Sequence, residues 1–303
     1  MKAVAIGKIA EVAGGRIIQG DPGTILHSVS TDTRKIKKGD LFFALSGERY
    51  DAHDFLAEAA AAGAGGLVIS RPVSLPPGLP VILVDDTLAA LQALAAYNRD
   101  RFKGPVVGIT GSTGKTTTKD MVAAVLGVRL RTLKTEGNLN NEIGLPLTLL
   151  DLDDSVEAAV VEMAMRGPGE IAALSRIARP EGAVITSINE THLERLGTVS
   201  NIAAAKGELL DYIPAEGFAL LNVESPFIRR EAKRCRGKVI FYGMDEYADL
   251  VARDLRPERG GFSFTAVFQG ESHDFYLPVP GRHNVLNALA AIGAGRELGL
   301  TME

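Results

Sequence analysis

Residues 108–118 read Gly108-Ile109-Thr110-Gly111-Ser112-Thr113-Gly114-Lys115-Thr116-Thr117-Thr118, a glycine-punctuated turn between an apolar run and a helix-compatible segment. Residues 105–110 have the Val/Ile content of a buried parallel strand. The glycines let backbone N–H groups turn toward phosphate oxygens where a side chain would block them. In such a loop Lys115 neutralises charge on the terminal phosphates and the Thr116 hydroxyl holds Mg²⁺. Gly111, Ser112, Thr113, Gly114 and Thr117 complete the cradle. The general phosphate-loop pattern G-x-x-x-x-G-K-S/T asks for glycine at 109, where this chain has Ile109, so the compact form T-G-x-x-G-K-T-T describes the segment better. Nucleotide chemistry is the leading expectation, set against a plain Gly-rich turn before an ordinary helix.

With 303 residues and 46% hydrophobic side chains, the chain can bury a sizeable core, and its length suits about two domains. A formal net charge of −4 argues against a broad nucleic-acid footprint, which needs clustered Lys and Arg. Cys235 is the only cysteine, which excludes an intramolecular disulfide and fits a reducing compartment; a structural thiol is its plain reading. Lys8 and Glu11 interrupt the start before a signal-length apolar core develops, and no run approaches the ~18 residues of a spanning helix. A cytoplasmic protein without membrane insertion is expected.

The first part of the chain alternates apolar runs at 41–45, 55–64, 67–69, 81–84 and 88–97, the pattern of a small α/β unit. Pro72, Pro76, Pro77, Gly78 and Pro80 make a loop between two of them. A second unit starts near Lys103-Gly104-Pro105, with strands expected at 106–110, 158–163, 183–188, 219–222 and 239–242. Helical segments at 115–126, 171–178, 201–212 and 227–234 separate them, which implies a mostly parallel sheet covered on both faces. Phe262, Phe264, Phe268, Phe275 and Tyr276 lie in period-two stretches that suggest an antiparallel hairpin, and residues 284–298 suit a helix. The expected fold class is therefore α/β: a small N-terminal α/β domain over 1–103, then a phosphate-loop domain over 104–303.

In open parallel sheets the ligand lies beyond the carboxyl ends of the strands, so polar residues just after each strand are the ones to inspect. Glu162 ends the run at 158–161, where its carboxylate would face the loop and ligate Mg²⁺; the plain alternative is a solvated cap. Asn189-Glu190-Thr191-His192-Leu193-Glu194 follows another strand, with His192 as a candidate metal ligand. Lys206 sits among small residues in Ala203-Ala204-Ala205-Lys206-Gly207-Glu208. Packed against a core, its amine would favour the neutral form, which reacts with CO₂ to give a metal-binding carbamate. An exposed, snorkelling lysine is the other reading. Asn138, Asn140 and Asn141 supply uncharged donors and acceptors in one loop, suiting a segment that closes around a polar ligand, although Asn and Gly also mark turns.

Four segments together resemble the Mur ligase family of peptidoglycan synthesis: residues 110–117, residues 136–146, residues 191–197 with 205–208, and residues 281–291. The resemblance implies ATP and Mg²⁺ as cofactors, with Lys115, Glu162, His192 and Lys206 in catalytic roles and Thr116, Glu162, His192 and carbamylated Lys206 holding metal. The asparagine-rich segment points, within the family, to addition of D-Ala-D-Ala to UDP-N-acetylmuramoyl-tripeptide. Residues 30–34, 39–45 and 47–55 resemble the N-terminal domain that holds the UDP end of that substrate, which implies binding by Asp32, Thr33, Arg34 and Arg49. Arg34 and Arg49 suit a diphosphate by bidentate geometry and suit surface ion pairs equally. Asn284 and Asn287 fall where the family contacts the adenine side of ATP, although asparagine is also a routine helix cap. The segment Glu162-Met163-Ala164-Met165 departs from the family's usual Glu-Met-Gly run and retains the carboxylate. The family's ligases carry a further C-terminal domain, and the expectation is that this chain lacks it. A monomer taking small-molecule substrates is expected. A folylpolyglutamate synthetase-like ligase, another member of the family, and a non-catalytic nucleotide-binding module are the alternatives.

Overall fold

Apolar runs too short for helices form the central strands of two large sheets. The computed structural model describes residues 1–47, 50–191 and 193–302. Its contacts divide into two units, Met1–Phe102 with Pro146–Asp154, and Lys103–Leu145 with Ser155–Glu303.

The first unit contains, in chain order, β1 (Val4–Ala5), α1 (Ile6–Val12), β2 (Arg16–Gln19), β3 (Ile25–Leu26), β4 (Val29–Ser30), β5 (Leu41–Phe43), α2 (Leu56–Ala61), β6 (Gly66–Ile69), β7 (Val81–Leu83) and α3 (Thr87–Arg101). Its main sheet runs β2-β7-β6-β5-β4 and is parallel except where β2 meets β7; β1 pairs with β3 separately. Phe42, Leu67 and Ile69 pack with Leu56 and Ala59 of α2, and each large side chain so buried contributes about 1.5–3 kcal/mol. Asp86 starts α3 by accepting from the N–H groups of Leu88 at 2.7 Å and Ala89 at 3.0 Å, which satisfies two otherwise orphaned donors. Asn98, 1% exposed, donates through Nδ2 to the carbonyls of Leu149 at 2.9 Å and Leu152 at 2.8 Å. Those bonds tie the 146–154 excursion into this unit.

The second unit contains β8 (Val106–Thr110), α4 (Lys115–Leu126), β9 (Thr132–Lys134), α5 (Gly144–Leu150), β10 (Ala158–Glu162), α6 (Glu170–Ala178), β11 (Gly182–Ile185), α7 (Leu193–Leu196), α8 (Val199–Gly207), β12 (Phe218–Asn222), α9 (Ile228–Glu231), β13 (Lys238–Gly243), β14 (Leu250–Glu258), β15 (Gly261–Phe268), β16 (Glu271–Leu277) and α10 (Arg282–Glu297). Helix α5 continues into the excursion. The sheet runs β16-β15-β14-β13-β12-β11-β8-β10-β9, parallel from β9 to β14 and antiparallel through β14, β15 and β16. All residues of β8, β10, β11 and β12 are buried, as expected of parallel strands covered on both faces. Strand β8 has β10 on one side and β11 on the other. The chain therefore leaves it first one way and later the other, which opens a crevice beyond its carboxyl end.

The α/β class, the mostly parallel sheet and the antiparallel region all appear. The expected hairpin is the β15–β16 pair, and β14 adds a third antiparallel strand to it. The strand expected at 183–188 ends at Ile185: the Thr186 N–H still reaches the Thr110 carbonyl at 3.0 Å, and beyond it the Ser187 carbonyl turns to accept the Ser112 N–H of the neighbouring loop. Among the described residues, no helix is long and apolar enough to cross a membrane.

Candidate nucleotide and metal site

The loop from Gly111 to Gly114 joins the carboxyl end of β8 to the start of α4. A Cβ on Gly111 would lie 1.9 Å from Thr186 Oγ1, and one on Gly114, whose φ is +83°, would lie 2.8 Å from Asn287 Oδ1. Both positions need glycine, for space at the first and for space and conformation at the second. The segment after β11 braces the loop. Thr186 Oγ1 donates to the Thr113 carbonyl at 2.6 Å, Ser187 Oγ accepts the Thr113 N–H at 2.9 Å, and the Ser187 carbonyl accepts the Ser112 N–H at 2.8 Å. Ser112 Oγ accepts from the Asn189 N–H and from the Thr191 hydroxyl, each at 2.9 Å. The N–H groups of Ser112 and Thr113 are thus engaged, and the N-terminus of α4 offers free donors where the helix dipole favours an anion. Lys115 Nζ bends back to the carbonyls of Gly111 at 3.0 Å and Ser112 at 3.3 Å. Burial disfavours its charged form, while the Glu162 carboxylate opposes that effect.

Glu162, at the tip of β10, is 2% exposed. Thr116 donates its hydroxyl to Oε2 at 2.9 Å and Asn140 donates Nδ2 to Oε1 at 2.8 Å. The Glu162 N–H reaches Thr135 Oγ1 at 2.9 Å. A hydroxyl and a carboxylate converging beside a phosphate loop suit Mg²⁺, a hard cation that completes its octahedron with water and nucleotide phosphate. Asn140 thus shares this cluster. Asn141 uses Oδ1 to accept the Gly144 N–H at 2.9 Å at the start of α5, and Asn138 is exposed. Sequence reasoning missed the bracing role of Thr186 and Ser187, whose signal was a Thr-Ser pair directly after an apolar strand.

Lys206, on α8, is 3% exposed, and its amine makes no hydrogen bond or ion pair with any described residue. Burial, with a lesser contribution from the charge on Lys115, pushes its pKa down to about 7. A buried amine that deprotonates near neutrality fits CO₂ capture. Glu208 accepts the N–H groups of Gly169 at 2.7 Å and Ala172 at 3.0 Å, joining the end of α8 to the start of α6. Asn284 and Asn287 are each 6% exposed. Asn287 accepts the Thr118 hydroxyl at 3.0 Å and donates to Asn284 Oδ1 at 3.0 Å, so the pair ties α10 to α4 beside the loop. The expected ligands His192 and Arg49 lie outside the described residues.

In the first unit, a cavity of about 690 Å³ is lined by Thr31, Asp32, Thr33, Arg34, Phe42, Leu45, Tyr50 and Phe55 among others. Arg34 meets Asp32 in a fork, Nε to Oδ1 at 2.9 Å and Nη2 to Oδ2 at 2.8 Å. Those bonds hold the Asp32 pKa down to about 2. The structure therefore places three expected substrate residues at one cavity, with the guanidinium engaged by its neighbour.

A model described as the Mur ligase middle domain matches residues 109–295, and one described as the Mur ligase family, catalytic domain, matches residues 25–99. A UDP-N-acetylmuramoyl-tripeptide–D-alanyl-D-alanine ligase of Bacillus subtilis (strain 168) is 43% identical over 297 residues, which cover 97% of this chain and 64% of the relative. The crystal structure of MurF from Acinetobacter baumannii superposes with a TM-score of 0.92 at 33% identity, covering 100% of this chain and 66% of that one. MurF ligase from Thermotoga maritima in complex with ADP gives 0.83 at 32% identity, covering 91% and 64%. The chain spans slightly less than two thirds of the length of these relatives.

Proposed function

Because the chain belongs to the Mur ligase family, we propose that it supplies the nucleotide- and UDP-substrate-binding parts of an ATP-dependent ligase that adds D-Ala-D-Ala to UDP-N-acetylmuramoyl-tripeptide. The name of the Bacillus subtilis relative supports this reaction, and the ADP bound to the Thermotoga maritima enzyme supports the nucleotide. On this reading residues 1–103 bind the UDP end of the substrate, residues 104–303 bind ATP, and the protein acts as a cytoplasmic monomer. One observation carries the proposal most directly: Thr116, Glu162 and Asn140 meet beside the loop that ends in Lys115.

In the proposed reaction the carboxylate ending the tripeptide attacks the γ-phosphorus of ATP, and the bond to the bridging oxygen breaks to release ADP. The amine of D-Ala-D-Ala then attacks the acyl carbon, phosphate leaves, and the amine loses a proton as the amide forms. An anion must approach an anion in the first step, so charge control is the main task. Lys115 would leave the loop carbonyls for the phosphates, and the start of α4 would present N–H donors to them. Thr116 and Glu162 would hold one Mg²⁺, with His192 and carbamylated Lys206 at a second. Bound Mg²⁺ would offset the charge on the transferring group and the attacking carboxylate. Arg34, released from Asp32, would meet the diphosphate of the UDP moiety.

The test is ADP and amide formation by the complete protein given ATP, Mg²⁺, D-Ala-D-Ala and UDP-N-acetylmuramoyl-tripeptide. Parallel reactions contain the dipeptide precursor or a folate. Turnover restricted to the tripeptide is expected. Turnover only with another acceptor would reassign the substrate, and nucleotide binding without turnover on any would leave a binding module.

A further inference from the structure

Lys119 lies one helical turn beyond Thr116 on α4 and is 3% exposed. An ammonium group withdrawn from water is costly, and an apolar side chain would cover the same helix face without that cost. What Lys119 meets is specific. Its Nζ donates to the Thr135 carbonyl at 2.7 Å and lies 3.4 Å from Asp120 Oδ1, an atom that Lys134 also contacts at 2.8 Å. One carboxylate thus serves two ammonium groups, and the Thr135 carbonyl is the hydrogen-bond acceptor for Lys119.

Thr135 is fully buried and uses each of its polar groups on a different part of the site. Its N–H donates to the Val160 carbonyl at 3.0 Å, its hydroxyl accepts the Glu162 N–H at 2.9 Å, and its carbonyl takes the Lys119 ammonium. It also begins the loop that carries Asn140 to Glu162 Oε1. The Glu162 backbone and one carboxylate oxygen are therefore both held from the segment that Lys119 anchors to the nucleotide helix. Removing the ammonium leaves the Thr135 carbonyl buried without a side-chain donor and frees that segment to shift.

We infer that Lys119 is a positioning residue for the metal carboxylate: it fixes Thr135, and through Thr135 and Asn140 it sets the orientation of Glu162 and the affinity for nucleotide-bound divalent metal. The inference rests on the proposed reading of Thr116 and Glu162 as the Mg²⁺ ligands. Outer partners that orient a ligand commonly change metal affinity by about 10–100-fold when removed.

The experiment is calorimetric titration of ADP into the complete protein at a series of Mg²⁺ concentrations. In the wild type, Mg²⁺ tightens ADP binding. In Lys119→Met the Mg²⁺ concentration giving half of that tightening rises roughly tenfold, while metal-free ADP affinity, made by the loop and Lys115, is unchanged. Glu162→Gln shifts the same curve, and adding Lys119→Met to it produces no further shift, because the lysine acts through that carboxylate. Should Lys119→Met fail to fold, Thr135→Val keeps the carbonyl and the side-chain shape, removes the acceptor for the Glu162 N–H, and is expected to give the same displacement. An unchanged Mg²⁺ curve in a folded variant overturns the inference. So does an equal further shift in the Glu162→Gln background, or a loss of metal-free ADP affinity as large as the metal effect. If Mg²⁺ does not tighten ADP in the wild type, the Mg²⁺ reading of Thr116 and Glu162 fails, and this inference fails with it.

Discussion

The hydroxyl of Thr116 points its proton at Glu162 Oε2, 2.9 Å away, across the gap between the first turn of α4 and the tip of β10. The two oxygens that the proposed reading assigns to one cation thus satisfy each other. On that reading a metal arriving with nucleotide would take both oxygens, and the hydroxyl would rotate to offer a lone pair. Asn140 holds the other carboxylate oxygen, Oε1, at 2.8 Å, so Glu162 would keep its orientation as the metal binds.

Lys115→Ala is expected to reduce ligation in the complete protein by at least about 10²-fold, the scale of losing a group aimed at developing charge. Folding should tolerate it, since burial already works against the Lys115 ammonium. Product formation and thermal melting measured on the same preparation test both halves, and near-normal turnover would remove Lys115 from the mechanism.

Gly111→Ala places a methyl group 1.9 Å from Thr186 Oγ1. The loop and its brace must part, with a cost of about 1–3 kcal/mol typical of overpacking. Adding Thr186→Ala removes that contact and leaves Thr186 Cβ and Ser187 N at 3.1 Å, so the double variant should be more stable than Gly111→Ala alone. Denaturant melts of the four proteins in this cycle decide it; strict additivity would mean that the clash is relieved elsewhere.

Lys206 carries a pKa of about 7 in the folded chain against an ordinary value of 10.5. The native state binds this proton less well than the unfolded chain, so the group weakens the fold fully below about pH 7. That penalty fades as pH rises toward 10.5. Relative to Lys206→Met, wild-type stability should therefore climb across this window. CO₂ capture needs the neutral amine, so ¹³C-bicarbonate should give a carbamate resonance that grows as pH passes about 7 and is absent from Lys206→Met. A resonance of equal strength in both proteins would assign it elsewhere.

Asn98→Leu should destabilise the first unit by about 2–4 kcal/mol, because the buried carbonyls of Leu149 and Leu152 would both lose their donor. Hydrogen exchange is expected to show the 146–154 segment opening first. Unchanged protection there would mean that the segment is held by packing alone.

The parts of the site contiguous in sequence were legible: β8, the glycine turn and α4 form one uninterrupted pattern, and Glu162 stands at the end of an apolar run. Short strands such as β1, β3, β4 and β9 were not foreseen, since two or three residues carry no measurable alternation. Thr186 and Ser187 looked like more strand because their partners in the loop lie more than 70 positions away. Asn140 reads as a ligand-binding amide from sequence, which shows which groups can hydrogen-bond and does not show that its Nδ2 meets the Glu162 carboxylate. Lys119 had no signal at all: a lysine on a helix is ordinarily solvated, and only the fold shows it facing inward.

The proximity of Asn287 to Gly114 has a consequence for biosynthesis. Thr118 and the asparagine that receives its hydroxyl are 169 positions apart. At roughly 5–20 residues per second, a ribosome needs about 10–30 s to bring the second out after the first. Throughout that interval the glycine turn exists without the helix that closes over it. On the proposed reading, nucleotide therefore meets a finished cradle, and can stabilise the newborn protein, only after α10 has emerged.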